Sequence, residues 1–198
     1  MQENSQKVIS GCGYLPLFEE LNFLQLTEEK IIIAIEGGSA SGKSTLAGTL
    51  QKLYGCAVFH IDDFFLQPHQ RTKERLEEVG GNFDRERFEK EVLIPLSKKE
   101  SVLYIKYDCK TKELLPAEEI VPTKITVIEG AYCMHPSLRK YYTISVFLDI
   151  SEDTQKKRIH KRNSEELQKR FFEEWIPMEN RYFKEFDIKN SCDIIVKV

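Results

Sequence analysis

Nine consecutive residues read Gly37-Gly38-Ser39-Ala40-Ser41-Gly42-Lys43-Ser44-Thr45. They match the pattern G-x-x-x-x-G-K-[ST] in its expected setting, because the apolar run from Ile31 to Ile35 precedes them and the amphipathic segment from Lys43 to Leu53 follows. Glycines permit backbone angles that turn successive N–H groups towards one point, and the start of a helix adds partial positive charge. A plain glycine-rich turn is the alternative, but the complete motif in this setting predicts a strand, a phosphate-binding loop (P-loop) and a helix.

Two side chains of this motif serve phosphate transfer. Lys43 can reach the β- and γ-phosphates of a bound nucleotide, and the Ser44 hydroxyl is placed to ligate Mg²⁺. We therefore expect the stretch from Gly37 to Thr45 to bind ATP or GTP, with Lys43 as a catalytic residue and Ser44 as a metal ligand.

The composition limits the class of protein. Of the 198 residues, 41% are hydrophobic and 31% charged, which is typical of a folded globular chain, and the net charge of −3 argues against a nucleic-acid partner. No segment resembles a secretory signal or approaches about 18 apolar residues, so we expect no membrane partner. Five scattered cysteines without a C-x-x-C pair predict neither disulfides nor a zinc site, which fits a reducing cytoplasm. The sequence leaves a homo-oligomer open.

Apolar segments of strand length alternate with helical patterns along the chain. Five segments are predicted as strands: residues 30–36, 57–61, 125–128, 143–149 and 192–196. This alternation predicts an α/β fold, one doubly wound and mostly parallel sheet with helices on both faces. We expect a single domain over 1–198, in which 1–29 form an N-terminal extension with a polar tail and a short helix. Residues 102–107 and 116–122 predict a small hairpin standing off the sheet.

Acidic residues follow two of the predicted strands. Asp62 and Asp63 come after the second strand and Glu129 after the third, and ligands of open parallel sheets lie beyond these carboxyl ends. Asp62 is our candidate base, which would accept the proton of a substrate hydroxyl as that oxygen attacks the γ-phosphoryl group. Glu129 is placed to reach Mg²⁺ directly or through water. The alternative for either aspartate is a turn cap.

Two helix-related features have two interpretations each. The helix that begins at Ser151 turns basic and contains Arg158 and Arg162, which either complement the helix dipole or fold over a polyphosphate. Asp84 precedes a helix and, from its position alone, could be only the N-cap.

The ordered set of motifs resembles the uridine kinase and phosphoribulokinase family of P-loop kinases over roughly residues 30–198. The similarity rests on the P-loop, on Asp62-Asp63-Phe64-Phe65, Asn82-Phe83-Asp84, Tyr107-Asp108, Val127-Ile128-Glu129-Gly130, the basic helix, Pro177-Met178 and Asp193-Ile194-Ile195. The P-loop alone is shared by many nucleotide hydrolases, whereas the ordered set is much more specific.

This resemblance implies further roles. Asp62 would be the catalytic carboxylate, Ser44 and Glu129 would serve Mg²⁺, Asp84 would bind ribose hydroxyls and Tyr107 would line the base pocket. Arg158 and Arg162 match the helix that feeds a lid at about 157–171, and Arg170 is a looser match for a substrate residue. The chain departs from the family pattern where Cys109 and Lys112 replace the usual aromatic residue and histidine, and the lid lacks the usual glycine-arginine turn.

The resemblance therefore implies an ATP- or GTP-dependent kinase that phosphorylates the 5′-hydroxyl of a nucleoside such as uridine or cytidine. The segments Asp62–Phe65 and Phe171–Met178 are also similar to nicotinamide riboside kinases, so a related ribosyl or other small metabolite is the alternative substrate. Two hypotheses of other classes remain: a P-loop switch protein that hydrolyses nucleotide, and a nucleotide-binding regulator without chemistry.

Overall fold

Ten strands are described in the computed structural model, which covers residues 7–9 and 13–198. In chain order they are β1 (Lys7–Ile9), β2 (Ile31–Gly37), β3 (Ala57–His60), β4 (Val102–Tyr104), β5 (Tyr107–Asp108), β6 (Glu113–Leu114), β7 (Glu118–Ile120), β8 (Ile125–Glu129), β9 (Ile144–Asp149) and β10 (Ile194–Lys197). Six of them form one sheet in the order β1-β10-β9-β2-β8-β3, and every neighbouring pair in it is parallel.

Helices connect these strands. They are α1 (Leu15–Thr27), α2 (Lys43–Tyr54), α3 (Lys73–Glu77), α4 (Arg85–Phe88), α5 (Ile94–Ser97), α6 (Glu152–Arg162), α7 (Glu165–Arg170) and α8 (Ile176–Glu185). One π-helical turn, Glu89–Leu93, joins α4 to α5, and another, Phe171–Trp175, joins α7 to α8. None of the helices in the described ranges is both long and apolar enough to cross a membrane.

The predicted fold class is confirmed, since all five predicted strands are present and form the contiguous parallel order β10-β9-β2-β8-β3. The N-terminal extension differs from expectation. Its helix is present as α1, but Lys7–Ile9 is a strand rather than part of a polar tail, because it pairs with the open edge of β10 in the register Lys7 to Ile194. The rest of that predicted tail, 1–6 and 10–12, lies outside the described residues.

A separate hydrophobic core lies on each face of the sheet. Ile31, Ile33 and Ile35 of β2 pack on the face that α1 and α2 cover, whereas Ile32 and Ala34 point to the opposite face. This alternation follows from the two-residue period of a strand, and covering both faces explains why β2 reads as a continuous apolar run. With both faces covered, a ligand can approach the sheet at the strand ends, and in open parallel sheets it binds beyond the carboxyl ends.

Two predicted details of the connections are also present. β4 pairs antiparallel with β7, which is the expected hairpin, and β5 pairs with β6 beside it. Apolar side chains recur at near-helical spacing over 165–186, which predicts a helix kinked by Pro177. In the structure this helix is interrupted by the π-helical turn, which ends two residues before Pro177, a residue whose missing N–H group breaks the regular hydrogen-bond pattern.

Candidate active site

The P-loop connects β2 directly to α2. Gly37 has φ of +145°, and a Cβ atom there would lie 2.7 Å from the carbonyl oxygen of Leu148, so the close approach of β9 requires glycine. α2 begins at Lys43, and no side chain caps it. The first N–H groups of a helix have no acceptor within it, so those of α2 remain available to an anion.

Two side chains of α6 hold the outer surface of this loop. Gln155 Nε2 donates to the carbonyl oxygen of Ser39 at 2.8 Å, and Arg158 Nη1 donates to those of Ala40 and Ser41 at 3.0 and 3.2 Å. Because the carbonyl groups are bound from outside, the loop can turn N–H groups inward. Arg158 therefore supports the loop in this structure, which is neither of the two roles offered for the basic helix.

Lys43 folds back over the loop that it follows. Its Nζ donates to the carbonyl oxygens of Gly37 and Gly38 at 2.9 and 3.0 Å. A phosphate bound in the loop would compete with these carbonyl groups for the ammonium group.

A cavity of about 190 Å³ lies between the P-loop and the ends of β3 and β8. It is lined by Ser39, Ala40, Gly42, Lys43, Ser44, Thr45, Asp62, Glu129, Ala131, Arg162, Phe171 and Glu179. The fold thus brings together residues from four segments that the sequence assigned to one site: the P-loop, Asp62, Glu129 and Arg162.

Glu129 joins the P-loop to the second strand end. Its Oε1 accepts a hydrogen bond from Ser44 Oγ at 3.0 Å and lies 2.5 Å from His60 Nδ1. Burial alone would raise the pKa of Glu129, but the His60 contact and the charge of Lys43 outweigh it and lower that pKa. The same contact raises the pKa of His60.

These residues fit a magnesium ion. A hydroxyl oxygen and a carboxylate oxygen 3.0 Å apart are hard oxygen donors that could share one cation. The described residues contain no group of three or more His, Cys, Asp or Glu side chains suited to a metal. Two protein oxygens, completed by phosphate and water, match the way Mg²⁺ is usually held at a nucleotide.

The two aspartates after β3 have different environments. Asp62 is accessible to solvent and accepts no hydrogen bond within the described part of the chain, whereas Asp63 Oδ2 accepts one of 2.5 Å from the hydroxyl of Tyr104. Loss of hydration within the concave site raises the pKa of Asp62, and Lys43 opposes this effect. Asp63 is therefore engaged in packing the hairpin, and Asp62 is the carboxylate that faces the cavity.

Asp84 caps α4 and is buried. Its Oδ1 accepts from the N–H of Arg87 at 3.1 Å and its Oδ2 from Gln70 Nε2 at 2.7 Å, with Arg87 Nε 3.7 Å away. The N-cap interpretation is therefore present in the structure. Asp84 is not among the residues that line the 190 Å³ cavity, and neither is Tyr107, which is buried in β5.

The predicted lid, about 157–171, consists of the end of α6, a two-residue break and α7. Gln168 Nε2 bridges the break by donating to the carbonyl oxygen of Asn163 at 2.8 Å. Arg162 lines the cavity, with its guanidinium carbon 5.9 Å from the ring centre of Phe171. Arg170 points elsewhere, because it stacks on Trp175 at 4.6 Å and pairs with Glu174.

Sequence reasoning missed two buried glutamates beside the P-loop. Glu36 accepts from the N–H groups of Gly37 and Met134 at 2.9 and 3.0 Å and from the hydroxyl of Tyr182 at 3.1 Å, and burial raises its pKa to about 7. Glu179 accepts from Ser39. The available signals were a glutamate at the end of an apolar strand and one on the buried face of α8, three residues before Tyr182.

A second cavity of about 490 Å³ opens on the other side of the loop. Its lining consists of Tyr14, Ala40, Ser41, Gly42, Thr45, Arg158, Lys161, Arg162 and Val198. Because Gly42 and Thr45 line it, this cavity adjoins the first turn of α2, where an anion would bind.

Comparisons with known proteins agree with this geometry. A family model described as "Phosphoribulokinase / Uridine kinase family" matches residues 32–166. A phosphoribulokinase from Synechocystis sp. is 30% identical over a match of 131 residues that covers 62% of this chain and 39% of that protein. A uridine kinase from Chloroflexus aurantiacus is 32% identical over a match of 137 residues that covers 62% of this chain and 63% of that protein. The chain thus matches less than two thirds of the length of either relative.

Solved structures show the same fold. A candidate fructose transport system kinase from Silicibacter sp. TM1040 superposes with a TM-score of 0.74 at 19% identity, covering 93% of this chain and 99% of that one. A candidate uridine kinase from Bacillus stearothermophilus gives 0.62 at 18% identity, with coverage of 91% and 99%. At these identities the similarity concerns the fold.

Proposed function

Since the chain belongs to the phosphoribulokinase and uridine kinase family of P-loop kinases, we propose that it transfers the γ-phosphoryl group of ATP or GTP to a primary hydroxyl of a small metabolite. The 5′-hydroxyl of uridine or cytidine is the first candidate, which the similarity to a uridine kinase at 32% identity supports. We place this reaction in the cytoplasm, in keeping with the scattered cysteines.

One observation carries the proposal: the Asp62 carboxylate faces the same cavity as Lys43 and accepts no hydrogen bond within the described residues. A general base must be within reach of the proton that it accepts and must not already be paired. Its raised pKa also makes the carboxylate a better proton acceptor than an ordinary aspartate.

The phosphate side of the site would act by position and charge. The first N–H groups of α2 would bind the phosphates, while Lys43 and Arg162 would neutralise the charge that develops on the transferred group. Ser44 and Glu129 would hold Mg²⁺, which would offset the negative charge of the phosphates. We propose the 490 Å³ cavity, with Tyr14 on its wall, as the place of the nucleotide base.

The acceptor residues are the least constrained part of the proposal. Asp84, Tyr107 and Arg170 are proposed to bind the acceptor, as the family resemblance implies, although none lines the P-loop cavity. Nicotinamide riboside and small sugars therefore remain alternative acceptors for this chain.

The test is an acceptor panel with purified protein, Mg²⁺ and either ATP or GTP. Uridine, cytidine, nicotinamide riboside and pentoses are supplied one at a time, and the phosphorylated product is identified by mass spectrometry. We expect a nucleoside product, and Asp62→Asn should lower kcat roughly 10³-fold while nucleotide binding persists. Asp153→Asn is the matched control, because it makes the same chemical change at an exposed position of α6.

Three outcomes separate the alternatives. Turnover with another acceptor would keep the kinase and reject the nucleoside. Nucleotide hydrolysis that no acceptor stimulates would indicate a switch protein. Nucleotide binding with no turnover, unaffected by Asp62→Asn, would indicate a regulator without chemistry.

A further inference from the structure

A carboxylate already occupies part of the P-loop. Glu179 of α8 accepts a hydrogen bond from the N–H group of Ser39 at 2.8 Å on Oε2 and one from the Ser39 hydroxyl at 2.6 Å on Oε1. The Glu179 side chain is buried, with 5% of the residue exposed. Both oxygens of the carboxylate are thus used at one residue of the loop.

The contact is built into the packing of the helices. A Cβ atom on Gly38 would lie 3.0 Å from Gln155 Nε2, which is a tight contact, and 3.6 Å from Glu179 Oε2, which is an ordinary one. Side chains of both α6 and α8 therefore reach the loop at this glycine. Gln155 binds the carbonyl oxygen of Ser39 while Glu179 binds its N–H group. The backbone of Ser39 is therefore held on both sides by the two helices that flank the lid.

The position of this carboxylate is electrostatically costly once nucleotide binds. Glu179 lines the 190 Å³ cavity together with Lys43 and Asp62, which is where the proposed reaction places the terminal phosphate. Burial raises the pKa of Glu179, Lys43 opposes the rise, and Asp62 adds to it. A terminal phosphate would bring further negative charge next to a carboxylate that is shielded from water.

We propose that Glu179 is an internal anion that holds Ser39 in the nucleotide-free protein and competes there with the terminal phosphate of a nucleoside triphosphate. This inference rests on the proposed function only in that the nucleotide binds at this loop. A nucleoside diphosphate ends one phosphate earlier and leaves the contact between Glu179 and Ser39 intact. Glu179 is therefore a positioning residue that weakens triphosphate binding and hardly affects diphosphate binding.

Isothermal titration calorimetry of Glu179→Gln with Mg²⁺ tests this directly, using ADP and a non-hydrolysable triphosphate analogue without acceptor. Glutamine keeps the size of the side chain and can still accept from the Ser39 N–H group, but it has no charge. We expect the Kd of the analogue to fall at least about fivefold and that of ADP to change less than about twofold, since the repulsion lost is that of two close, partly shielded charges. Glu185→Gln, at an exposed position of the same helix, should change neither.

A purely structural Glu179 predicts a different pattern, in which both nucleotides bind more weakly or neither changes, and either result overturns the proposal. If Glu179→Gln does not fold, as its melting temperature would reveal, Ser39→Ala replaces it. That variant removes one of the two donors to Glu179, so the analogue should bind more tightly relative to ADP, and an unchanged ratio of the two Kd values rejects the inference. Failure of the premise, nucleotide binding at this loop, is distinct, because the wild-type protein would then bind neither nucleotide. Failure of phosphoryl transfer alone would show in the acceptor panel and would leave both Kd values measurable.

Discussion

The two halves of the candidate site are built differently. On the phosphate side, the P-loop uses backbone groups of consecutive residues, supported by Gln155 and Arg158 of α6. On the acceptor side, side chains from separate elements hold one another, as Tyr104 of the hairpin binds Asp63 after β3 and Gln70 binds Asp84. A backbone site depends on a short motif, whereas a side-chain site depends on which distant residues the fold brings together. The difference explains why a short motif could nominate the residues of the phosphate half, whereas the acceptor half was assigned only through the family resemblance.

The largest expected effect concerns the phosphate half. Lys43→Ala removes the cation that, in the proposed reaction, would face the transferred group, and loss of such a charge partner should lower kcat by roughly 10³-fold or more. The measurement is steady-state turnover with the acceptor that the panel identifies. Lys52→Ala serves as the control, because Lys52 is exposed in the last turn of the same helix. Near wild-type turnover in Lys43→Ala would contradict the assignment of the P-loop as the catalytic half.

The second effect concerns Glu36, the buried glutamate that accepts a hydrogen bond from Gly37 of the P-loop. Burial raises the pKa of Glu36 from 4.5 to about 7, so the folded protein holds a proton there that the unfolded chain has released. The resulting stabilisation is fully present below about pH 4.5 and is lost as the pH rises through about 7. It should amount to about 3 kcal/mol, since one pKa unit corresponds to roughly 1.4 kcal/mol.

Glu36→Gln isolates this contribution because glutamine does not titrate. The free energy of unfolding of the wild type, measured in urea, should decrease relative to that of Glu36→Gln between about pH 4.5 and about pH 7. The exposed Glu19→Gln on α1 should follow the wild type at every pH. A parallel pH dependence of wild type and Glu36→Gln would mean that Glu36 ionises normally.

The sequence predicted what is local and missed what is distant. The strand, loop and helix around Gly37 lie within one stretch, and Asp62 and Glu129 follow strands whose carboxyl ends must share an edge. Glu179 is separated from Ser39 by 140 positions, and Tyr104 from Asp63 by 41, so no pattern in the chain could indicate these contacts. The sequence named Asp62 as the candidate base, and the hydrogen bond from Tyr104 to Asp63 now gives the two aspartates different environments.

Strand β1 shows a related limit. Its three residues are too few for a period to be recognised, and they form a strand because the edge of β10 offers unpaired backbone groups. The helical break before Pro177 was expected, but a proline indicates where a helix changes and not that a π-helical turn will precede it.

The smallest expected effects concern Asp84 and test whether it belongs to the acceptor half of the site. Its carboxylate accepts two hydrogen bonds, from Arg87 and Gln70, and a carboxylate has about four acceptor positions, so capacity remains for the two hydroxyls of a ribose. Capping and ribose binding are therefore compatible, and two substitutions separate them. Asp84→Ala should lower the free energy of unfolding by about 1 kcal/mol, and Asp84→Asn should restore most of it because asparagine is an equally good N-cap.

The preference for uridine over 2′-deoxyuridine should respond to the Asp84 substitutions differently from stability. If Asp84 accepts from both ribose hydroxyls, wild type should favour uridine over 2′-deoxyuridine, because the deoxy compound leaves an acceptor unpaired. Both Asp84→Ala and Asp84→Asn should then reduce the ratio of the two kcat/KM values, since asparagine keeps the cap but loses the charge and one acceptor oxygen. A ratio that stays at the wild-type value in Asp84→Asn and Asp84→Ala, alongside the loss of stability in the alanine variant, would make Asp84 a helix cap alone and would leave recognition of the acceptor to other side chains.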